Sequence, residues 1–342
     1  MSKLDRPSVP TCSDGPIWNV WLAAFHAPAL AIADELGMFR ALRDRPATAA
    51  ELAVSLDIEV RAIETLAGLM SALEFLIQAD GRFHLTDVAR HYLVPDSPYY
   101  WGGFLQRIRA LPLDCSKLIA GLRRGHAAQE ARVTAGWEVP EPPAAALESF
   151  THAMHAHSFA LAMRITPALE LSNVETLLDV AGGSGSYSIA AALRNPRLKC
   201  SVLDLPAVCA VASKYIEKFA ISDQVTVVPA NMFRDPWPTG YERVFLSDIF
   251  HDWDDARCHR LAAHAYESLS SGGKVVIHEM ILSDSKDGPL HAVAYSMVMV
   301  FVAQGRQRSA RELTEILLGA GFVDIQPTMT SGGYAAITGT KP

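Results

Sequence analysis

Leu177–Asp204 reads LLDVAGGSGSYSIAAALRNPRLKCSVLD, and this stretch decides the fold. Leu177–Val180 is a short apolar run of buried-strand type. Gly182, Gly183 and Gly185 follow at once, and an Ala-rich helical pattern then runs from Ser186 to Leu193. A second apolar run, Ser201–Leu203, ends at Asp204, an acid roughly 20 residues beyond the glycines. The glycines let backbone approach a ligand closely, and the acid can accept hydrogen bonds from a ribose diol, so the unit suits an adenosine-containing cofactor. Ser188 stands where a dinucleotide fingerprint wants a third Gly or Ala, which disfavours NAD. There is no Gly-x-x-x-x-Gly-Lys-Ser/Thr run, which excludes a P-loop. The plainer alternative is a glycine-rich turn in a ligand-free α/β domain, and the placement of Asp204 argues against it.

Outward from this unit, the totals set bounds. A chain of 342 residues that is 50% hydrophobic and 20% charged suits a globular protein of one large or two ordinary domains. Its net charge of −7 argues against nucleic acid as the main partner. Cys12, Cys115, Cys200, Cys209 and Cys258 are scattered without a CxxC pair, which reads as reduced thiols in the cytoplasm. Met1–Cys12 is polar and has no signal-peptide core. Val20–Phe39 is apolar but carries His26, Asp34 and Glu35, so it reads as an amphipathic helix, with no membrane partner expected.

The N-terminal part reads as helices. Ile17–Leu42 is one long helical pattern, Thr48-Ala-Ala-Glu51 is a capping box, and Arg61–Leu73 has helical apolar spacing. Leu76–Leu85 reads as a hairpin around Asp80-Gly81. Helix, helix, hairpin is a winged-helix outline. Glu59, Glu64 and Glu74 crowd the would-be recognition helix, so packing or dimerisation is preferred over DNA binding. Trp18, Trp21, Leu22 and Phe25 give an apolar face for a second copy, and Glu138–Pro143 reads as a proline-rich connector. The division expected is a helical, winged-helix-like domain over 1–145 and an α/β domain over 146–342. Beyond Leu147–Leu171, a long helix, strands and helices alternate, which means a Rossmann-like, doubly wound parallel sheet. Val323–Thr328 and Tyr334–Thr338 are joined by a loop too short for anything but an antiparallel pair, so the sheet ends in an antiparallel hairpin.

In such sheets ligands lie beyond the carboxyl ends of the strands. Asn231-Met232-Phe233, Ser247–Trp253 and His278-Glu279 fall there. His251 beside Asp252, with Glu279 from the adjacent strand end, is a base-plus-orienter arrangement: imidazole takes a proton and a carboxylate fixes its tautomer. Equally, His251 could cap a helix and Trp253 could be core.

From Phe150 onward the chain resembles the small-molecule S-adenosylmethionine-dependent O-methyltransferases of the plant caffeate and bacterial secondary-metabolite type. The residues that carry the resemblance are Phe150–Met154 with His157-Ser158, Asp179–Gly185, Asp204-Leu205-Pro206, Asn231–Phe233, His251-Asp252-Trp253, Gly272–Lys274 and Gly305–Arg308. The winged-helix-like start is similar to that family's dimerisation domain. The resemblance implies S-adenosyl-L-methionine as cofactor, a small-molecule acceptor and a homodimer. It implies a cofactor site of Asp179, Gly182, Gly183, Gly185, Asp204, Leu205, Asn231, Met232, Phe233 and Ser247, with Met154 and Ser158 approaching from the helical side. Gly183 and Gly185 would lie along the methionine part, Asp204 would hold the ribose and Met232 would flank the adenine. His251 would be the general base, oriented by Glu279 and accompanied by Asp252.

This sequence departs from the family pattern at Asn231, usually Asp, and at Gln307, often a second catalytic Glu. It departs again at Asp248, usually neutral or basic, and His291 opens a helix that often lines the acceptor pocket. These departures keep a second chemistry open. Related enzymes methylate the carbon beside the carbonyl of a 2-oxo acid, some with a metal, and Asp248, His251 and His291 could hold a divalent or ferric ion in a 2-His-1-carboxylate site. A rival of another class is a winged-helix regulator that only senses the cofactor. The primary expectation is O-methylation of a phenolic or enolic hydroxyl.

Overall fold

The computed structural model describes residues 11–110, 114–128 and 143–342. Most of the expected connector, residues 138–142, and residues 1–10 of the polar start lie outside them. The chain folds as two compact units that divide at residues 112/113, not at 145.

The first unit begins with α1 (Gly15–Ala23), α2 (His26–Glu35) and α3 (Met38–Ala41) where one helix was expected. The breaks have local causes. Pro28 in the first turn of α2 has no N–H to give to the carbonyl four residues back, and Gly37 takes a left-handed conformation (φ 79°). Then come α4 (Ala49–Leu56), α5 (Val60–Ala72), the hairpin β1 (Leu76–Ala79) and β2 (Arg82–Leu85), α6 (Asp87–Tyr92) and α7 (Gly102–Ala110). Helix α4 opens on the expected box: Thr48 Oγ1 accepts the Glu51 N–H, and the Glu51 carboxylate accepts the Thr48 N–H at 2.7 Å. Asp80 and Gly81 both have positive φ, which suits a two-residue hairpin turn. Met38, Phe39, Leu52, Ile63, Met70 and Phe83 form this unit's core.

The second unit carries α8 (Cys115–Arg124), α9 (Ala144–Ile165), β3 (Thr176–Val180), α10 (Ser186–Arg194), β4 (Lys199–Asp204), α11 (Pro206–Lys218), β5 (Val225–Pro229) and β6 (Tyr241–Ser247). It continues with α12 (Asp255–Ser268), β7 (Leu269–Met280), α13 (Leu290–Val302), α14 (Ala310–Gly319), β8 (Val323–Met329) and β9 (Tyr334–Thr340). Helix α8 belongs here because it packs on α13. Gly121 lies so close that a Cβ would stand 2.7 Å from the Val300 carbonyl, and the Ala127 N–H donates to the Ala303 carbonyl at 2.9 Å.

The strands order as β5-β4-β3-β6-β7-β9-β8. The first five are parallel, and β9 pairs antiparallel with both β7 and β8. This is the α/β architecture expected, a doubly wound sheet with a terminal antiparallel hairpin. β3 and β6 are neighbours, so the sequence order reverses there, and the crevice beyond their carboxyl ends is where such sheets take ligands. Leu178, Val180, Val244, Leu246, Val275 and Ile277 are fully or almost fully buried between the helical layers.

Candidate active site

At the end of β3 the chain turns through Ala181 (φ 52°), Gly183 (φ 60°) and Gly185 (φ 76°) into α10. Asp179 is buried in this turn and accepts a hydrogen bond from Ser188 Oγ at 2.7 Å. Burial pushes its carboxyl up to about 7. Gly182 must lack a side chain, because a Cβ would stand 2.7 Å from the Asp179 carboxyl carbon. Where a Gly183 Cβ would stand there is open space. The Gly183 N–H donates to Asp204 Oδ2 at 2.9 Å and the Leu205 N–H to Oδ1 at 2.7 Å, so the acid at the end of β4 is pinned beside the glycines. After β5, Asn231 shapes a tight turn: its Oδ1 accepts the Phe233 N–H at 3.0 Å, and its own N–H donates to Asp235 at 2.7 Å. Met232 is buried, and its carbonyl accepts the Trp237 indole N–H.

Helix α9 adds Met154 and Ser158, both half-buried, Ser158 beside the His157 ring. It also brings His155, which the sequence reading passed over. The His155 Nδ1 lies 2.9 Å from Ser184 Oγ and 3.2 Å from Ser186 Oγ, so the glycine turn is tied to the helix. His155 stacks on Tyr215 with ring centres 3.7 Å apart, and burial pulls it down to about 3.

The second cluster lies where β6 ends. His251 sits in a short 3₁₀ turn and is 4% exposed. Its Nδ1 is 3.3 Å from Glu279 Oε2, 3.0 Å from the Gln307 amide and 3.8 Å from Asp248 Oδ1. Its Nε2 lies 3.7 Å from Asp252 Oδ1, outside hydrogen-bonding distance. Glu279 Oε1 accepts the N–H groups of Ile249 (3.0 Å) and Phe250 (2.8 Å), so one carboxylate binds the turn with one oxygen and faces the imidazole with the other. The Tyr295 ring stands edge-on to His251 at 5.3 Å.

Burial sets the protonation. It pulls His251 down to about 3 and so keeps the imidazole neutral. It pushes Glu279 upward, an effect that Asp248 reinforces and the two backbone N–H groups oppose. Asp248 is pushed up to about 7 and Asp252 to about 8, again by burial first.

Three residues of the Gly305–Arg308 segment build the wall behind this turn. Gly305 packs where a Cβ would stand 2.5 and 2.6 Å from Trp253 N and O, and closer still to the His251 carbonyl. Arg308, 3% exposed, donates to the Phe250 carbonyl at 2.7 Å and the Trp253 carbonyl at 3.0 Å, so it grips both ends of the turn. Gln307 then meets the imidazole. His278 keeps to a separate network: one ring nitrogen is 2.9 Å from Ser247 Oγ, the other 3.1 Å from Thr330 Oγ1.

His291 does not join the cluster. It is exposed and lies against Gly333. Among the described residues, the group with ligand atoms within 4.8 Å of one another is Asp248, His251 and Glu279.

Residues 120–323 match the family model of the O-methyltransferase domain. The chain belongs to the O-methyltransferase family. A 3-hydroxy-5-methyl-1-naphthoate 3-O-methyltransferase of Streptomyces sahachiroi is 34% identical to this O-methyltransferase over 320 residues, 91% of each chain. Acetylserotonin O-methyltransferase of Gallus gallus is 31% identical over 177 residues, which are 52% of this chain and 51% of that protein. In fold, the O-methyltransferase is similar to human N-acetylserotonin methyltransferase in complex with S-adenosylmethionine, with a TM-score of 0.83 and 24% identity over 98% of this chain and 99% of that one. The family and its members make this O-methyltransferase an S-adenosylmethionine-dependent enzyme that acts on a small molecule.

Proposed function

We propose that this enzyme methylates a phenolic or enolic hydroxyl of a secondary metabolite, with His251 removing the hydroxyl proton. The observation that carries the reading is the buried, neutral imidazole whose Nδ1 lies 3.3 Å from Glu279 Oε2 and 3.0 Å from the Gln307 amide, leaving Nε2 for the acceptor. Glu279 orients the ring and stabilises the imidazolium as the proton arrives. Asp252 lines the ring on its Nε2 side, 3.7 Å away. S-adenosylmethionine supplies a methyl group on a sulfonium, so the acceptor oxygen takes the carbon while the C–S electron pair returns to sulfur.

The glycine turn fits that cofactor, with room at Gly183 and the pinned carboxylate of Asp204 at its edge. We assign Gly182, Gly183 and Gly185 to its methionine part, Asp204 and Leu205 to the ribose, and Asn231, Met232 and Phe233 to the adenine. Asp179 and Ser247 support these contacts, and Met154 and Ser158 close over the cofactor. His251→Gln should lower the methyl-transfer rate about 10²–10⁴-fold and leave S-adenosylhomocysteine binding intact. Mass analysis of the product locates the methyl group. A variant with normal turnover removes His251 as the base.

A second reading, metal-assisted C-methylation, rests on the Asp248, His251 and Glu279 donor set. Two carboxylates and an imidazole suit a divalent cation, which would polarise a 2-oxo acid's carbonyl. In that reading Glu279 takes the place expected of His291. Activity that survives EDTA excludes it.

We further read the chain as a cytoplasmic homodimer. In α1 and the bend after it, Trp18, Trp21, Leu22 and Phe25 are between 47% and 59% exposed, and α1 has no buried residue. An apolar face of this kind is a liability unless covered, and a two-fold partner covers it with the same face. By length and composition, residues 15–35 could also cross a membrane. The bend at Pro28, together with His26, Asp34 and Glu35, supports the dimer instead. We read the first unit as the dimerisation domain and the second, which carries the sheet, as the catalytic one.

A further inference from the structure

His278 is fully buried near the end of β7, and burial pulls it down to about 3, so its imidazole is neutral: one ring nitrogen donates and the other accepts. Which nitrogen does which follows from the neighbours. Nε2 lies 3.1 Å from Thr330 Oγ1, and Nδ1 lies 2.9 Å from Ser247 Oγ. The Thr330 hydroxyl also lies 3.1 Å from the Tyr334 carbonyl, which can only accept. Starting from that carbonyl, three bonds close: Thr330 Oγ1–H to the carbonyl, His278 Nε2–H to Thr330 Oγ1, and Ser247 Oγ–H to Nδ1. The opposite tautomer closes two, because Thr330 then gives its proton to Nε2 and the Ser247 proton is left over. A buried network takes the arrangement that satisfies more of its groups.

Packing holds the ring in this orientation. It stacks on Tyr334 with ring centres 4.9 Å apart and planes at 18°, lies over Phe245 at 6.2 Å, and meets the Tyr187 ring of α10 edge-on at 5.7 Å. Ser247, half-buried at the carboxyl end of β6, therefore turns its proton inward and its lone pairs outward. The cofactor assignment above runs from adenine at β5 through ribose at β4 to the methionine part at β3, and β6 is the next strand in the sheet. The methionine part ends in an ammonium and a carboxylate, and of the two only the ammonium donates.

We propose that His278 is a positioning residue for cofactor binding, holding the Ser247 hydroxyl as an acceptor for the ammonium of S-adenosylmethionine. This rests on the cofactor assignment above. Ser247 touches the ligand, His278 acts through it, and Thr330 anchors the far nitrogen of the ring. A carboxylate at the same place would meet lone pairs and be turned away, so the arrangement also sets which arm of the amino acid lies at β6.

The test titrates S-adenosylhomocysteine and its deaminated analogue, in which hydrogen replaces the ammonium, into wild-type enzyme and variants. The readout is the preference for the amine over the deaminated compound. Ser247→Ala should cut that preference about 10- to 100-fold, the range of a hydrogen bond to a charged group. His278→Phe keeps a ring in the stack but frees the hydroxyl, and should cut it about 3- to 10-fold, one or two torsions each released among three staggered wells. In a Ser247→Ala background His278→Phe should add nothing. Thr330→Val changes a half-buried loop residue and leaves the ring in place; it should fold and cut the preference in the same direction. The deaminated compound should bind all these variants as it binds wild type, which a loss of packing would not give. In ¹⁵N-histidine-labelled wild-type protein, the His278 resonances, identified by their shift in Thr330→Val, should report a proton on Nε2. Equal loss for both ligands in Ser247→Ala, a His278→Phe effect that persists without the Ser247 hydroxyl, or a proton on Nδ1 overturns the proposal. Asp204→Ala is measured alongside. If it leaves both affinities untouched, the cofactor assignment falls and the proposal with it; if it weakens both while Ser247→Ala changes no preference, the cofactor assignment stands and the role of His278 alone falls.

Discussion

Gly305→Ala adds one methyl group and isolates the wall behind His251. Gly305 is outside the left-handed region, so alanine suffers no backbone penalty there and the clash alone acts. The new Cβ would stand 2.5 and 2.6 Å from Trp253 N and O, about 1 Å inside an ordinary carbon contact. These neighbours are backbone atoms and cannot rotate away. They belong to the turn that Arg308 and Glu279 hold, and the Asp252 carbonyl accepts the N–H groups of Gln304 and Gly305 at 3.2 and 3.1 Å. Either the turn or the Gly305 segment must shift by about that 1 Å, and a displacement of this size can cost roughly 10²-fold in rate, or about 2.7 kcal/mol of barrier. Overpacking of this kind costs about 1–3 kcal/mol in stability, a fall of about 2–4 °C per kcal/mol in a unit of roughly 200 residues. Single-turnover methyl transfer and calorimetric binding of S-adenosylhomocysteine separate the effects: the rate should fall and the affinity should hold. A variant that turns over at the wild-type rate refutes the clamp. One that loses cofactor affinity in proportion refutes the local argument.

Asp204→Ala should weaken S-adenosylhomocysteine binding by about 1–3 kcal/mol, since the N–H groups of Gly183 and Leu205 lose their acceptor along with the ribose; unchanged affinity by calorimetry removes the ribose role. Asp179 titrates near 7 in the fold and near 3.8 unfolded, so the folded state holds a proton that the unfolded chain gives up, and stability falls as pH rises through that window. Asp179→Asn removes this penalty and should raise the melting temperature of cofactor-free protein by several degrees at pH 8, with a gain of up to about 4 kcal/mol; at pH 4 the gain should vanish, and a gap independent of pH contradicts the assignment. Trp18→Glu with Trp21→Glu should turn a dimer into a monomer in light scattering at micromolar concentration, and a wild-type monomer defeats the interface.

The glycine unit was legible because its signals are local: a strand, positive-φ positions and a helix in a dozen consecutive residues. The antiparallel hairpin was legible because a short loop permits no other pairing. The clamp was not. Arg308 meets the Phe250 carbonyl across more than 50 residues, and no periodicity marks an arginine that binds carbonyls instead of facing water. Gln307 could be seen as a departure, but its contact with Nδ1 depends on Gly305 admitting the segment. His291 misled because a helix start fixes position along the chain and not which way the first turn faces. His155, next to Met154, was passed over because stacking on Tyr215 joins α9 to α11, a tertiary contact with no local pattern.

The strand order sets synthesis against assembly. β9 lies between β7 and β8, yet it leaves the ribosome after both. Until it does, β7 presents a bare edge, and that edge includes Glu279, whose backbone partner is Ala335. A nascent chain can therefore form the glycine turn and the parallel strands while the carboxylate beside His251 still lacks its flanking strand. Methyl transfer would begin only when residues 334–340 have threaded into place, so interrupted translation products would hold cofactor-binding parts without turning over. An unpaired β7 edge of this kind is also the place where a holding chaperone would engage the chain.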